Sequence, residues 1–105
     1  MALIKSCLKE AAPQSISTVD FLQSITVNQS TTLSGISEGD LFMLIGDSSV
    51  SHSTGLSSEL TGATKLSYDE GIAYSSTYIC CELLVATQNS PVVKTVGTCT
   101  AFKLS

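Results

Sequence analysis

Asp47, Ser48 and His52 fall within one short stretch and supply the three side-chain types of a nucleophilic hydrolase. A serine nucleophile needs a base to take its proton, a carboxylate to orient that base, and donors for the oxyanion, all converging in space. Here the chain's single His follows the Ser inside a polar, glycine-containing stretch, and no G-x-S-x-G elbow occurs. A chain of 105 residues is also too short for the α/β sheet on which such a block normally sits. The expectation is therefore a turn with an exposed His and no catalytic residue.

Other chemistry-bearing residues lead to similarly plain expectations. The carboxylates Glu38, Asp40, Asp47, Asp69 and Glu70 cluster in turn-rich segments but never in the D-x-[DN]-x-[DN]-G order of a calcium loop. They read as solvated charges that keep strand edges apart. Four cysteines, Cys7, Cys80, Cys81 and Cys99, lack the spacing of a zinc site, and one His cannot complete it. Adjacent cysteines on a strand point to opposite faces, so reduced thiols packed as small hydrophobes are expected. A cross-strand Cys80–Cys99 or Cys81–Cys99 bridge is the alternative. No metal or cofactor is expected. Asn28-Gln29-Ser30 matches a glycosylation sequon but has no secretion signal beside it and reads as chance. Tyr68, Tyr74 and Tyr78 are either cross-strand packing or a platform on which a sugar could stack.

Composition narrows the function classes. Charged residues make up 13% of the chain and hydrophobic ones 43%, with 18 Ser and 12 Thr, so the chain has the means to fold and draws its solubility from hydroxyls. The net charge of −4 comes with five Lys and no Arg, which argues against nucleic-acid binding, where Arg and Lys concentrate on one face. The longest apolar run, L-F-M-L-I at Leu41–Ile45, is far shorter than a membrane span, so no membrane is expected as a partner. The opening M-A-L-I-K-S-C-L-K-E is interrupted by Lys5, Lys9 and Glu10 too early for a secretory segment, so assembly in a cytoplasm is expected.

The elements that would position these residues are mostly strands. Residues 1–13 form an arm or edge element: Leu3, Ile4, Cys7, Leu8 and Ala11 fit a helical face ended by Pro13, while the same stretch also alternates as an edge strand would. Beyond Pro13 the period is two, with Val19, Phe21, Gln23, Ile25 and Val27 on one face. Leu41–Ile45, bracketed by two Gly-Asp pairs, reads as a strand covered on both faces. Residues 46–63 read as one long polar loop, and loops of that length usually make contacts. Asp47, Ser48, His52, Leu56, Glu59 and Leu60 are its candidate interaction residues. The segment T-K-L-S-Y, D-E-G, I-A-Y-S-S-T-Y predicts a hairpin turning at Gly71. Ile79, Cys81, Leu83 and Val85 then oppose Tyr78, Cys80 and Glu82, and two further strands follow Pro91. The chain is expected to be a single all-β domain spanning 1–105, an antiparallel β-sandwich or jelly-roll-like barrel of about six to eight strands with a short N-terminal helix as an option.

Gly39-Asp40 before an apolar strand, then T-G-A-T-K-L at 61–66, C-E-L-L-V-A-T at 81–87 and the closing A-F-K-L at 101–104 resemble small β-sandwich virion proteins of tailed bacteriophages. Those proteins decorate capsids or form tail and fibre modules, and they commonly carry Trp after the T-G, where this chain has Ala63. The resemblance implies a non-enzymatic, oligomeric virion subunit, partnered by copies of itself or by a major capsid or tail protein. It carries no catalytic residues across. Hydroxyl-covered faces, unpaired strand edges and the 46–63 loop would then meet the neighbour. The alternative is a carbohydrate-binding module using the three tyrosines.

Overall fold

The computed structural model describes residues 18–48, 55–74 and 77–105. They form eight strands: β1 (Val19–Ile25), β2 (Thr31–Thr32), β3 (Leu41–Ser48), β4 (Ser57–Thr61), β5 (Ala63–Tyr74), β6 (Thr77–Ala86), β7 (Val92–Thr95) and β8 (Cys99–Leu104). Every pairing is antiparallel. A five-stranded sheet runs β1-β8-β3-β6-β5 and a three-stranded sheet runs β2-β7-β4. The described residues are thus all-β and built as a two-layer sandwich, as the period-two patterning predicted. The helix-or-strand question at residues 2–11 lies outside the described residues.

The core forms where the two layers meet. Phe42, Leu44, Cys80, Leu84 and Ala101 from the larger sheet pack against Leu33, Ile36, Leu56 and Val93 from the other side. Leu33 and Ile36 come from the turn-rich segment after β2, and both are buried. They act as apolar plugs held by Leu33 N–H donating to the Pro91 carbonyl and Ser90 N–H donating to the Ile36 carbonyl. β3 lies between β8 and β6. Its residues alternate between this core and a second apolar cluster on the opposite face, where Leu41, Met43, Cys81, Leu83 and Leu104 are also buried. The expectation of a strand covered on both faces is met.

Three local expectations differ from the structure. The Asp69-Glu70-Gly71 segment is no turn: β5 runs through it, with Asp69, Glu70 and Gly71 opposite Cys81, Cys80 and Ile79. A partner strand in register satisfies the backbone better than a loop there, and β5 absorbs its irregularities as bulges between Lys65 and Ser67 and between Ile72 and Tyr74. The 46–63 stretch is not one loop, because Gly46, Asp47 and Ser48 continue β3 opposite Cys80, Ile79 and Tyr78 and residues 57–61 form β4. Val19 to Ile25 do not share a face. A bulge between Phe21 and Gln23 leaves Val19 and Phe21 opposite Leu104 and Phe102 on the outer face, and turns Ile25 inward opposite Cys99.

Gly46 faces the core between Cys80 on β6 and Cys99 on β8. Two strand spacings separate those cysteines, roughly 9–10 Å, beyond the ~7 Å limit between Cα atoms for a disulfide. Cys81 faces the opposite side of the sheet from Cys99. Neither bridge considered from the sequence is formed, and Cys80, Cys81 and Cys99 are all thiols. A Cβ at Gly46 would stand 2.7 Å from the Thr98 carbonyl oxygen and 2.9 Å from Cys99 Cβ, both fixed by the sheet. Gly46→Ala is expected to destabilise the fold by about 1–3 kcal/mol. A lower urea midpoint at constant m-value would show this; an unchanged midpoint would mean that β8 yields to the added methyl.

Candidate interaction surface

The strand β6 reads Y-I-C-C-E-L-L-V-A, and its single charge, Glu82, falls on the face that points into the sandwich. The side chain is fully buried. Burying an unpaired carboxylate costs several kcal/mol, so its partners decide whether it can stay. Leu56 N–H donates to Oε2 at 2.9 Å, and Ser57 N–H donates more weakly at 3.3 Å to Oε1 and 3.4 Å to Oε2. The Ser57 hydroxyl donates to Oε1 in a short hydrogen bond. Lys65 on β5 lies with Nζ 3.3 Å from Oε2. Both carboxylate oxygens thereby have partners, and among the described residues no buried side-chain nitrogen or oxygen lacks one.

This arrangement latches the start of β4 in one sheet onto β6 in the other. Gly55 makes it sterically feasible: its φ of 114° suits glycine, and a Cβ there would run into Lys65 Nζ and Glu82 Oε2. Backbone N–H groups can approach the carboxylate only because that space is empty. The ends of the chain around residues 49–54 are thus fixed by pairing of Ser48 with Tyr78 and by the Glu82 latch.

The residues singled out from the sequence land in different environments. Leu56 is fully buried and belongs to the core, so it has no surface to offer a partner. Leu60 packs partly against the same core. Glu59 is exposed and ion-pairs with Lys94 across β4 and β7 at 3.2 Å. Asp47 and Ser48 hold backbone positions at the end of β3, and His52 lies outside the described residues. Among the side chains described, Leu56 faces the core and Glu59 faces solvent, so these two do not share one surface.

Two of the three tyrosines have described side chains. Tyr68 and Tyr78 pack against the inter-sheet core. The Tyr68 hydroxyl donates to Glu70 Oε2 at 3.0 Å, and Cys80 Sγ reaches the same oxygen at 4.0 Å. Burial first, then the hydrogen bonds and charges of Cys80 and Glu70, push the Tyr68 phenol well above the usual tyrosine range. Tyr74 sits at the end of β5, opposite Thr77, with its side chain outside the described part. Among the described residues, no three His, Cys, Asp or Glu side chains are placed to hold a metal ion.

What the sequence did not signal is an exposed apolar pair. Val19 and Phe21 are 51% and 66% exposed, more than any other large apolar residue described. The Phe21 ring meets Phe102 edge-on, with centroids 6.4 Å apart and planes at 81°. That geometry favours contact between aromatic rings and holds Phe21 upright at the rim of the outer face. Across the molecule, the outer face of the smaller sheet carries Thr32, Val92 and Thr61 in one row and Lys94 and Glu59 in the next. The edges are unsuited to strand addition. β1 and β4 each carry a bulge, β5 carries two, and β2 is only two residues long. Bulges and short edges break the flat row of donors and acceptors that another strand would need. The described edges are therefore poor templates for a further strand.

Glu82→Ala is expected to lower stability by on the order of 3 kcal/mol, since Leu56 N–H is left buried without an acceptor. Glu82→Gln, which keeps one acceptor oxygen, should cost less in the same urea titration. Alkaline pH tests a second consequence of burial. Burial foremost, offset in part by the Thr95 hydrogen bond and aided by the Glu82 charge, pushes the Cys99 thiol up from 9.0 to about 11. The folded state thus holds this proton, like that of Tyr68, more tightly than the unfolded chain does. The associated stability is full below pH 9 and is lost as pH rises through about 11. The urea midpoint should fall over that interval, and Cys99→Ala should flatten the fall; a midpoint constant to pH 11 would contradict the assignment.

No protein-family model matches the chain, and no curated protein and no solved structure matches it.

Proposed function

We propose that this protein is a non-enzymatic structural subunit of a virion, seated on a capsid or tail surface as a decoration, cement or fibre-like component. The observation that carries the reading is the exposed pair Val19 and Phe21 on an otherwise well-closed sandwich. Apolar side chains this exposed, one of them in edge-on contact with Phe102 and both set beside blunted edges, suit a face that is covered by another protein. The virion assignment itself rests on the resemblance of residues 37–105 to small phage β-sandwich proteins. Hydroxyl-rich, weakly charged strands agree with a subunit whose surface is shared with neighbours. On this reading the partner is a second copy or a major capsid or tail protein, and the site of action is the particle.

Sedimentation of the purified chain, alone and with candidate capsid or tail proteins, tests the reading. The expected result is co-sedimentation in many copies per particle, with Phe21→Ser weakening binding by about tenfold or more. The melting temperature of that variant should stay close to wild type, because Phe21 contributes little to the core. A chain that remains monomeric and binds no particle would count heavily against the proposal. Specific hits on a glycan array would move the assignment to the carbohydrate-binding alternative.

A further inference from the structure

The Glu82 latch sets an amine against a carboxyl group in a site closed to water. Lys65 Nζ lies 3.3 Å from Glu82 Oε2, and the Glu82 side chain has no exposed surface while that of Lys65 keeps 29%. Gly55 leaves open the space that both groups enter. The carboxyl group is oriented from its other side. Ser57 donates its hydroxyl to Oε1 and its N–H to the same oxygen at 3.3 Å, while Leu56 N–H donates to Oε2 at 2.9 Å. Oε1 thus meets two neutral donors from one residue, and Oε2 meets the ammonium. Fixed donors on one carboxyl oxygen are what a tetrahedral acyl intermediate requires.

We propose that Lys65 and Glu82 condense to an amide after folding, a covalent cross-link between β5 and β6. The ammonium passes one proton to Oε2, which leaves a neutral amine beside a carboxylic acid. The Nζ lone pair attacks Cδ, and Oε1 takes the displaced electron pair under the Ser57 donors. Nζ then gives a second proton to Oε2, the Cδ–Oε2 bond breaks, and one water leaves. No oxidant or further reactant enters. Fixed geometry supplies the rate, since aligned intramolecular groups reach effective molarities of about 10⁵–10⁸ M. Burial supplies the drive: it penalises the ion pair, and a neutral amide removes that cost. The exposed flank of Lys65 gives the released water a way out. The Lys94–Glu59 and Lys103–Asp40 pairs have carboxylates open to solvent and are expected to stay ionic. This inference is independent of the virion reading and would stand if that reading failed.

The intact mass of the full-length chain, folded and incubated at neutral pH, is the test. A mass one water below that of the sequence is expected, with digestion giving a fragment in which Lys65 is joined to Glu82. Lys65→Arg keeps the positive charge, and with it the fold, but its guanidinium does not form this bond. Its mass should equal that of its own sequence, which separates the cross-link from dehydration at an aspartate elsewhere. Ser57→Ala takes the hydroxyl from Oε1 and should slow the appearance of the dehydrated chain about a hundredfold. The proposal is overturned if the wild type keeps its full mass, or if Lys65→Arg loses the water as well. An unchanged rate in Ser57→Ala would overturn the mechanism through Oε1.

Discussion

The sandwich is organised around a buried carboxylate. Glu82 sits between the sheets with no access to water, and its tolerance there depends on two backbone N–H groups, a serine hydroxyl and a lysine ammonium converging on it. Apolar contacts between two sheets are forgiving, since one aliphatic surface packs on another in many alignments. A carboxylate that must find Leu56 and Ser57 N–H allows one alignment. The latch therefore sets how β4 lies over β6, and with it the position of the three-stranded sheet. Gly55 belongs to the same constraint, because any side chain there would occupy the ion pair's space.

The second constraint is that the central strands β3 and β6 are apolar on both faces. Phe42 and Leu44 face the inter-sheet core while Leu41 and Met43 face the opposite cluster, and Leu84 and Leu83 do the same on β6. A sheet buried on both sides confines its polar and irregular features to the rim. There the chain places bulges, a two-residue strand, hydroxyls and ion pairs such as Lys103–Asp40 at 3.4 Å and Lys94–Glu59. Val19 and Phe21 are the exception at the rim, and they are what gives the surface an apolar contact point.

Much of the architecture was legible in the residues. Alternation over Ile79–Val85, the continuous Leu41–Ile45 run and the turn signals at Asn89-Ser90-Pro91 and Gly97 correspond to β6, β3 and the connections around β7. The misreadings share a cause. D-E-G looked like a turn because Asp, Glu and Gly are turn-compatible, yet β6 offered a full ladder and β5 kept going through it. Ser57–Thr61 looked like loop because two serines, a glutamate and a threonine surround one leucine, yet pairing with β7 makes it a strand. Backbone pairing with a distant segment outweighed local composition in both places. Leu56 was misjudged for a related reason: it is apolar in a polar stretch because it fills the core.

By itself the sequence determined that the chain is built from short antiparallel strands around an apolar core, because period-two patterning and turn residues act locally. It placed Glu82 on one face of a strand without showing that the carboxylate is buried or what satisfies it. Only the tertiary structure decided that the partners of Glu82 are Leu56, Ser57 and Lys65, that Cys80 and Cys99 stand apart across Gly46, and that Phe21 is left in the open. The physical reason lies in bulges and sheet order. A single residue added between Phe21 and Gln23 reverses which side chains face inward, and the strands that meet across β3 are far apart in the chain.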